Sequence, residues 1–287
     1  MTLQGFLMEN PGSFGWGDSG MDQMGFELQS WLAANAGVIE RVGGEAFPGA
    51  LLDAIYQAVA VDSAFILAHR AGHAPQLLER GRVLEGRWQE VSRYLAGPYL
   101  LDPVHLACTA GREGLVQLRR IAPDDFAESE YFRSFYASHG LTDEANFLVP
   151  LGAGEGIAIS LGRVGVAPGF TPAELDALRA VEPLVRAMAR RHWGQPDWPV
   201  APRGADLEGI VRRIGQGSLT ERESEVARLI LRGHSSKSIA RELEITPETV
   251  RVHRKNIHTK LGIGSQGELF SLFLDAIGCE APGSTSI

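Results

Sequence analysis

The sequence predicts an α+β protein in two parts: an α/β/α sandwich in front and an all-α four-helix head behind. Three observations carry this. Residues 218–287 hold four short amphipathic patterns, most with caps of their own, and no strand-like run. Residues 26–193 mix strand-like apolar runs with helical ones. Between them, GQPDWPVAPRG (194–204) places three prolines and two glycines in eleven positions, the composition of a linker.

Bulk properties agree with that division. A chain of 287 residues has room for two domains. With 44% hydrophobic and 22% charged residues it has the composition of a soluble globular protein. No apolar run is long enough to span a bilayer, and MTLQGFLMENPGS lacks the basic start of a signal peptide, so a cytoplasmic location and no membrane partner are expected. The two cysteines, Cys108 and Cys279, fall in different parts, which argues against a disulfide framework. Net charge is −8, yet residues 204–287 hold 11 basic and 11 acidic residues, so the excess acid lies in front. Within 235–262, six cations face three glutamates, a local field suited to phosphate.

In chain order, residues 1–25 are rich in Gly and Met without periodicity, and a mobile arm is expected. FELQSWLAANAGVIERV (26–42) and FPGALLDAIYQAVA (47–60) read as helices, and AFILA (64–68) as a buried strand followed by a turn. Residues 88–110 alternate aromatics and turn residues, and 126–138 read as an aromatic helix. NFLVPL and IAISLGR flank GAGEG (152–156) as a hairpin; with no following helix and lysine, GAGEG is not a phosphate loop. Thr171-Pro172-Ala173-Glu174 is a capping box that opens a helix through Trp193, whose apolar stripe suits a core or a dimer seam. The linker spans 194–217 and carries a short amphipathic helix into the head.

In the head, Thr220-x-x-Glu223 and Ser265-x-x-Glu268 are capping boxes, Gly233 ends the first helix, Ser235 or Ser236 starts the second, and Thr246-Pro247 starts the third. The second helix, the turn Glu244-Ile245-Thr246 and the third helix have helix-turn-helix spacing. On the third helix, Val250, Ile257 and Leu261 share one side, and Arg251, Val252, Lys255, Asn256 and Thr259 the other. A valine opposite the core gains nothing for the fold but could contact a thymine methyl group, and Arg251 or Lys255 can reach guanine O6 and N7. Asn256, Lys260 and the helix start Ser235-Ser236-Lys237 suit phosphate oxygens. A solvated charged face is the plainer alternative, and the capped four-helix spacing weighs against it.

The run LTERESEV…GHSSKSIARELEITPETVRVHRKNIHTKLG resembles, without a gap over about sixty residues, the DNA-binding domain of LuxR (NarL/FixJ-type) regulators. The resemblance implies that Arg251, Val252 and Lys255 face bases, that Lys237, Thr249 and Asn256 touch the backbone, and that the fourth helix, GELFSLFLDAI, contacts a second copy. Glu223 and Glu225 would be structural, capping the first helix and pairing with Arg254.

Such a head can follow several kinds of sensor. A phospho-receiver is not expected, because Asp53 lies inside a helix and Asp124-Asp125 follow a proline. The stretch Trp88…Tyr94…Tyr99…Asp102-Pro103-Val104 resembles the ligand-contact stretch of acyl-homoserine-lactone receptors, whose sensor has a PAS/GAF-like shape. There, aromatics form the pocket and the aspartate accepts a hydrogen bond from the ligand amide. This chain departs from that pattern: Trp88 to Tyr94 is stretched, Tyr99 to Asp102 is short by one, and a later tryptophan and an inner glycine have no counterpart. The candidate pocket is Trp88, Tyr94, Tyr99, Asp102, Phe132 and Tyr136; the aromatics could equally be plain core and Asp102 a turn residue. His69, His73, His105 and His139 lack metal-ligand spacing, and no serine or cysteine has a nucleophile motif. The expectation is a transcription regulator, not an enzyme, without metal or cofactor. Its partners would be double-stranded DNA, a second copy, a small-molecule effector and RNA polymerase. Alternatives are a constitutive regulator whose front part only dimerises, or a metabolite-binding or enzymatic front part with a protein-binding head.

Overall fold

The structure is a computed structural model that describes residues 33, 35–82, 88–165, 169–194 and 204–278. The expected arm 1–25, residues 26–32 and 34 of the 26–42 helix, linker residues 195–203 and Cys279 lie outside the described residues. Residues 35–40, called α1, are the described run of that first helix.

Alternation along the strands builds the front domain. Strands β1 (Ser63–Arg70), β2 (Gln76–Arg80), β3 (Gly114–Gln117), β4 (Leu141–Gly152) and β5 (Glu155–Val164) form one antiparallel sheet ordered β2-β1-β5-β4-β3. On one face Ala64, Ile66, Phe147, Val149, Ile157 and Ile159 meet helices α2 (Phe47–Ala58) and α7 (Pro172–Trp193). Phe147, Ile159, Leu178 and Leu51 are each almost wholly buried there, and such a side chain contributes about 1.5–3 kcal/mol. The capping box that opens α7 is formed: Thr171 Oγ1 accepts from the Glu174 N–H, and Glu174 accepts from the Thr171 N–H. The α7 stripe serves this core.

On the opposite face lie α3 (Trp88–Leu95), a 3-10 turn (Pro98–Leu101), α4 (Pro103–Thr109), α5 (Leu118–Ile121) and α6 (Glu130–Phe135). The expected single aromatic helix over 126–138 is divided into a 3-10 turn (Phe126–Glu128), α6, and a second turn (Ala137–His139). The break has a local cause. Ser129 adopts an extended conformation, its Oγ accepts from the Phe132 N–H, and a new helix starts.

The short helix expected in the linker, α8 (Leu207–Gly215), packs on α9 (Glu221–Leu231) and α12 (Gln266–Ala276), so with α10 (Ser236–Glu242) and α11 (Pro247–Leu261) the head holds five helices among the described residues rather than the expected four. Caps sit where the sequence places them: Thr220 with Glu223, Ser235 with the Ser238 N–H, Thr246 with the Thr249 N–H, and Ser265 with the Glu268 N–H. Glu268 accepts from the Gly264 N–H rather than completing the last box.

The two parts share one apolar cluster. Leu101, Val104, Phe126 and Tyr131 of the front domain are continuous with Leu231, Ile239, Phe270 and Phe273 of the head. Gly233, at φ +87°, lies so close that a Cβ there would sit 2.8 Å from the Phe126 Cα. The Asp125 N–H donates to the Gly233 carbonyl at 3.1 Å.

Candidate nucleic-acid interface and ligand cavity

The outer face of α11 is built by its own periodicity. Val250 and Ile257 are wholly buried, whereas Arg251, Lys255, Asn256 and Thr259 are exposed. Val252 is 52% exposed; the only other large apolar side chain so exposed among the described residues is Ile39, outside the head. Arg251 pairs with Glu248 one turn earlier, an exposed contact worth little and easily exchanged for a nucleic acid.

The residues expected at phosphates are distributed unevenly. Lys237, Thr249 and Asn256 are exposed, and Ser236 is half-buried. Lys260 donates at 2.6 Å to Glu223, whose side chain is buried. Ser235 is bound from outside the head: its N–H donates to Asp124 Oδ1 at 3.0 Å and its hydroxyl to Asp124 Oδ2 at 2.5 Å. Partial burial works against ionisation of Asp124, but these bonds hold its carboxyl below the usual carboxylate range. A front-domain carboxylate thus stands at the start of α10, where a DNA phosphate was expected. The Arg254 pairing expected from sequence is replaced: Glu223 takes Lys260, Glu225 takes Arg222, and Arg254 donates to Gln266.

On the second face of the sheet, β1 turns Ser63, Phe65, Leu67 and His69 toward a cavity of about 130 Å³ closed by α3, α4 and α6. Of the pocket residues expected from sequence, Tyr94, Asp102 and Tyr136 line it. Tyr99 and Phe132 do not; Tyr99 meets Tyr94 edge-on and Phe132 stacks on Tyr136, so both support the wall. The Trp88 side chain lies outside the described residues.

Asp102 has two roles. It caps α4, with Oδ1 accepting from the Val104 N–H at 2.8 Å, and it accepts from Tyr94 at 2.7 Å and Tyr136 at 3.2 Å. Burial raises its pKa against the pull of these donors. Glu144 on β4 also lines the cavity. Burial, and then the charge of Asp102, push its pKa up to about 8, although Asn146 donates to it at 2.9 Å. His69 and His105 face each other through their Nδ1 atoms at 2.9 Å, and burial keeps both largely neutral, His105 down to about 4. His69, Tyr131, Glu144 and Ser160 were not among the expected lining residues. Period-two alternation along β1 from Phe65 would have singled out His69, and the same count along β4 and β5 Glu144 and Ser160. Among the described residues no group of His, Cys, Asp and Glu is arranged to hold a metal ion, and no helix is long and apolar enough to cross a membrane. Cys108 is a free, buried thiol pushed up to about 12 by burial.

A capped helix-turn-helix head with cations on the outer face of its second helix, carried on an α/β/α domain, defines a DNA-binding transcription regulator. Residues 217–273 match the family described as bacterial regulatory proteins, luxR family. A putative HTH-type transcriptional regulator in the exeN 3'region of Aeromonas salmonicida is 34% identical over 157 residues, 52% of this chain and 80% of that protein. The chain belongs to the LuxR family of bacterial transcription regulators, which are not enzymes. UhpA of Escherichia coli is 43% identical over 60 residues, 21% of this chain and 31% of its own length. The front domain is similar to the VqsR LBD domain of Pseudomonas aeruginosa, with TM-score 0.50 and 26% identity over 57% of this chain and 96% of that one.

Proposed function

We propose that this regulator binds a palindromic DNA site as a homodimer, reads bases through Arg251, Val252 and Lys255, and is governed by a small effector in the front-domain cavity. It would act in the cytoplasm and meet RNA polymerase there. The observation that carries the base-reading part is the α11 outer face, where the exposed Val252, with no role in the core, stands beside the exposed cations Arg251 and Lys255. Lys237, Thr249 and Asn256 would contact the backbone, joined by Ser235, Ser236 and Lys260 once their present contacts are exchanged for phosphate.

Effector control is supported by the cavity, by the likeness to a solved domain whose title calls it an LBD, and by Asp124. While Asp124 holds Ser235, the start of α10 is closed to a phosphate. The α12 helix, the expected dimer surface, packs against α6 of its own front domain, with Gly267 beside Glu130. An effector that favours an undocked arrangement would free both surfaces by population shift. Selection of bound DNA from a random pool, with and without a cell-metabolite extract, tests this. The expected result is one two-fold-symmetric motif whose yield changes with the extract; an asymmetric motif would remove the homodimer, and unchanged yield the effector.

A further inference from the structure

The effector cavity is acidic in an unusual way. Two carboxylates, Asp102 and Glu144, both buried, line it, while among the described residues no lysine or arginine does. Asp102 is already served by Val104, Tyr94 and Tyr136, whereas the hydrogen bond to Glu144 comes from the neutral Asn146 amide. Two acids sharing a site out of water repel each other when ionised, and a single cation relieves both. An independent observation points the same way. His69 is 1% exposed and lines the cavity, its Nδ1 is engaged by His105, and its Nε2 has no hydrogen-bond partner. With His69 donating through Nδ1, Nε2 presents a lone pair, a further acceptor for a nitrogen carrying several hydrogens.

From this arrangement we infer that the cavity takes a compact primary amine, its ammonium group between Glu144 and Asp102 and its apolar body against Phe65, Tyr131 and Phe135. The inference rests on the cavity being the effector site. Size is in keeping with it: about 130 Å³ is close to the ~150 Å³ apolar cavity that accommodates one benzene molecule. An entering ammonium meets Glu144 largely protonated and, by stabilising its carboxylate, sends that proton to solvent.

Isothermal titration of the full chain at neutral pH with benzylamine, benzyl alcohol and N-butanoyl-homoserine lactone tests the inference. Benzylamine should bind at least ~10-fold more tightly than the isosteric alcohol, the preference one well-placed charge-assisted hydrogen bond supplies. Glu144→Gln should abolish that preference while keeping its affinity for the alcohol, which shows the cavity intact. Alcohol or lactone binding as tightly as the amine overturns the amine inference and leaves the effector site standing. An unaltered preference in Glu144→Gln overturns the role of Glu144 and with it the inference. Binding of none of the three removes the cavity as a site for compact ligands, and the effector reading with it.

Discussion

Val252 and Glu144 are the residues whose surroundings the fold alone least accounts for. Val252 is half-exposed opposite a fully buried Val250 and Ile257, and its neighbours Arg251 and Lys255 project to the same side. Glu144 is buried with a pKa of about 8 against an ordinary 4.5. Because the folded state holds the proton more tightly, this residue's stabilising effect is complete below the ordinary value and is lost as pH rises through about 8. The thermal midpoint is therefore expected to fall between about pH 5 and 8, by the equivalent of a few kcal/mol at most. Glu144→Gln should flatten that slope; equal slopes in both proteins would show that Glu144 is not the group responsible. Much of this was legible in the sequence. The α11 face follows from counting 100° per residue, Tyr94 and Asp102 from the resemblance to acyl-homoserine-lactone receptors, and Tyr136 from the aromatic run 126–138. Glu144 and His69 were missed because the apolar runs AFILA and NFLVPL stop short of them, so the alternation that turns them inward runs past the strand-like residues.

At the scale of elements, the helices were legible because their caps are local: Thr171, Thr220, Ser235, Thr246 and Ser265 each accept from a backbone N–H within three residues. Strands β2 and β3 were missed for the opposite reason. Both are edge strands, β2 is half-exposed along most of its length and β3 spans only four residues, so neither shows an apolar alternation of its own. The contact between Asp124 and the start of α10 was also beyond sequence, joining residues 111 apart. Asp124→Ala is expected to raise the affinity of the effector-free chain for DNA several-fold, since a charge-assisted bond is worth about 1.5–3 kcal/mol when formed and partly offset by solvent here. Gel-shift titration measures it, and unchanged affinity would leave Asp124 a mere structural cap.

At the scale of the whole molecule, the head and the front domain share a continuous apolar cluster, from Leu101 and Tyr131 through to Ile239 and Phe273. Burial of that kind couples the two parts, so thermal unfolding of the effector-free chain should show one cooperative transition. Two well-separated transitions in calorimetry would mean that the docked arrangement contributes little. The sequence separated the two domains by their linker but gave no sign of this docking, because the glycine that allows it, Gly233, reads locally as no more than the end of a helix. In the docked arrangement the outer face of α11 stays open while Asp124 covers the start of α10, so the proposed base readers and the proposed phosphate site would be exposed differently.

The central claim, that α11 reads sequence, is tested most directly by the affinity of Arg251→Ala and Lys255→Ala for the selected site and for a scrambled duplex across a range of salt. Each substitution is expected to cost about 1–3 kcal/mol on the selected site and far less on the scrambled one, so that discrimination falls. Equal losses on both duplexes would contradict the claim and leave these cations as phosphate contacts only.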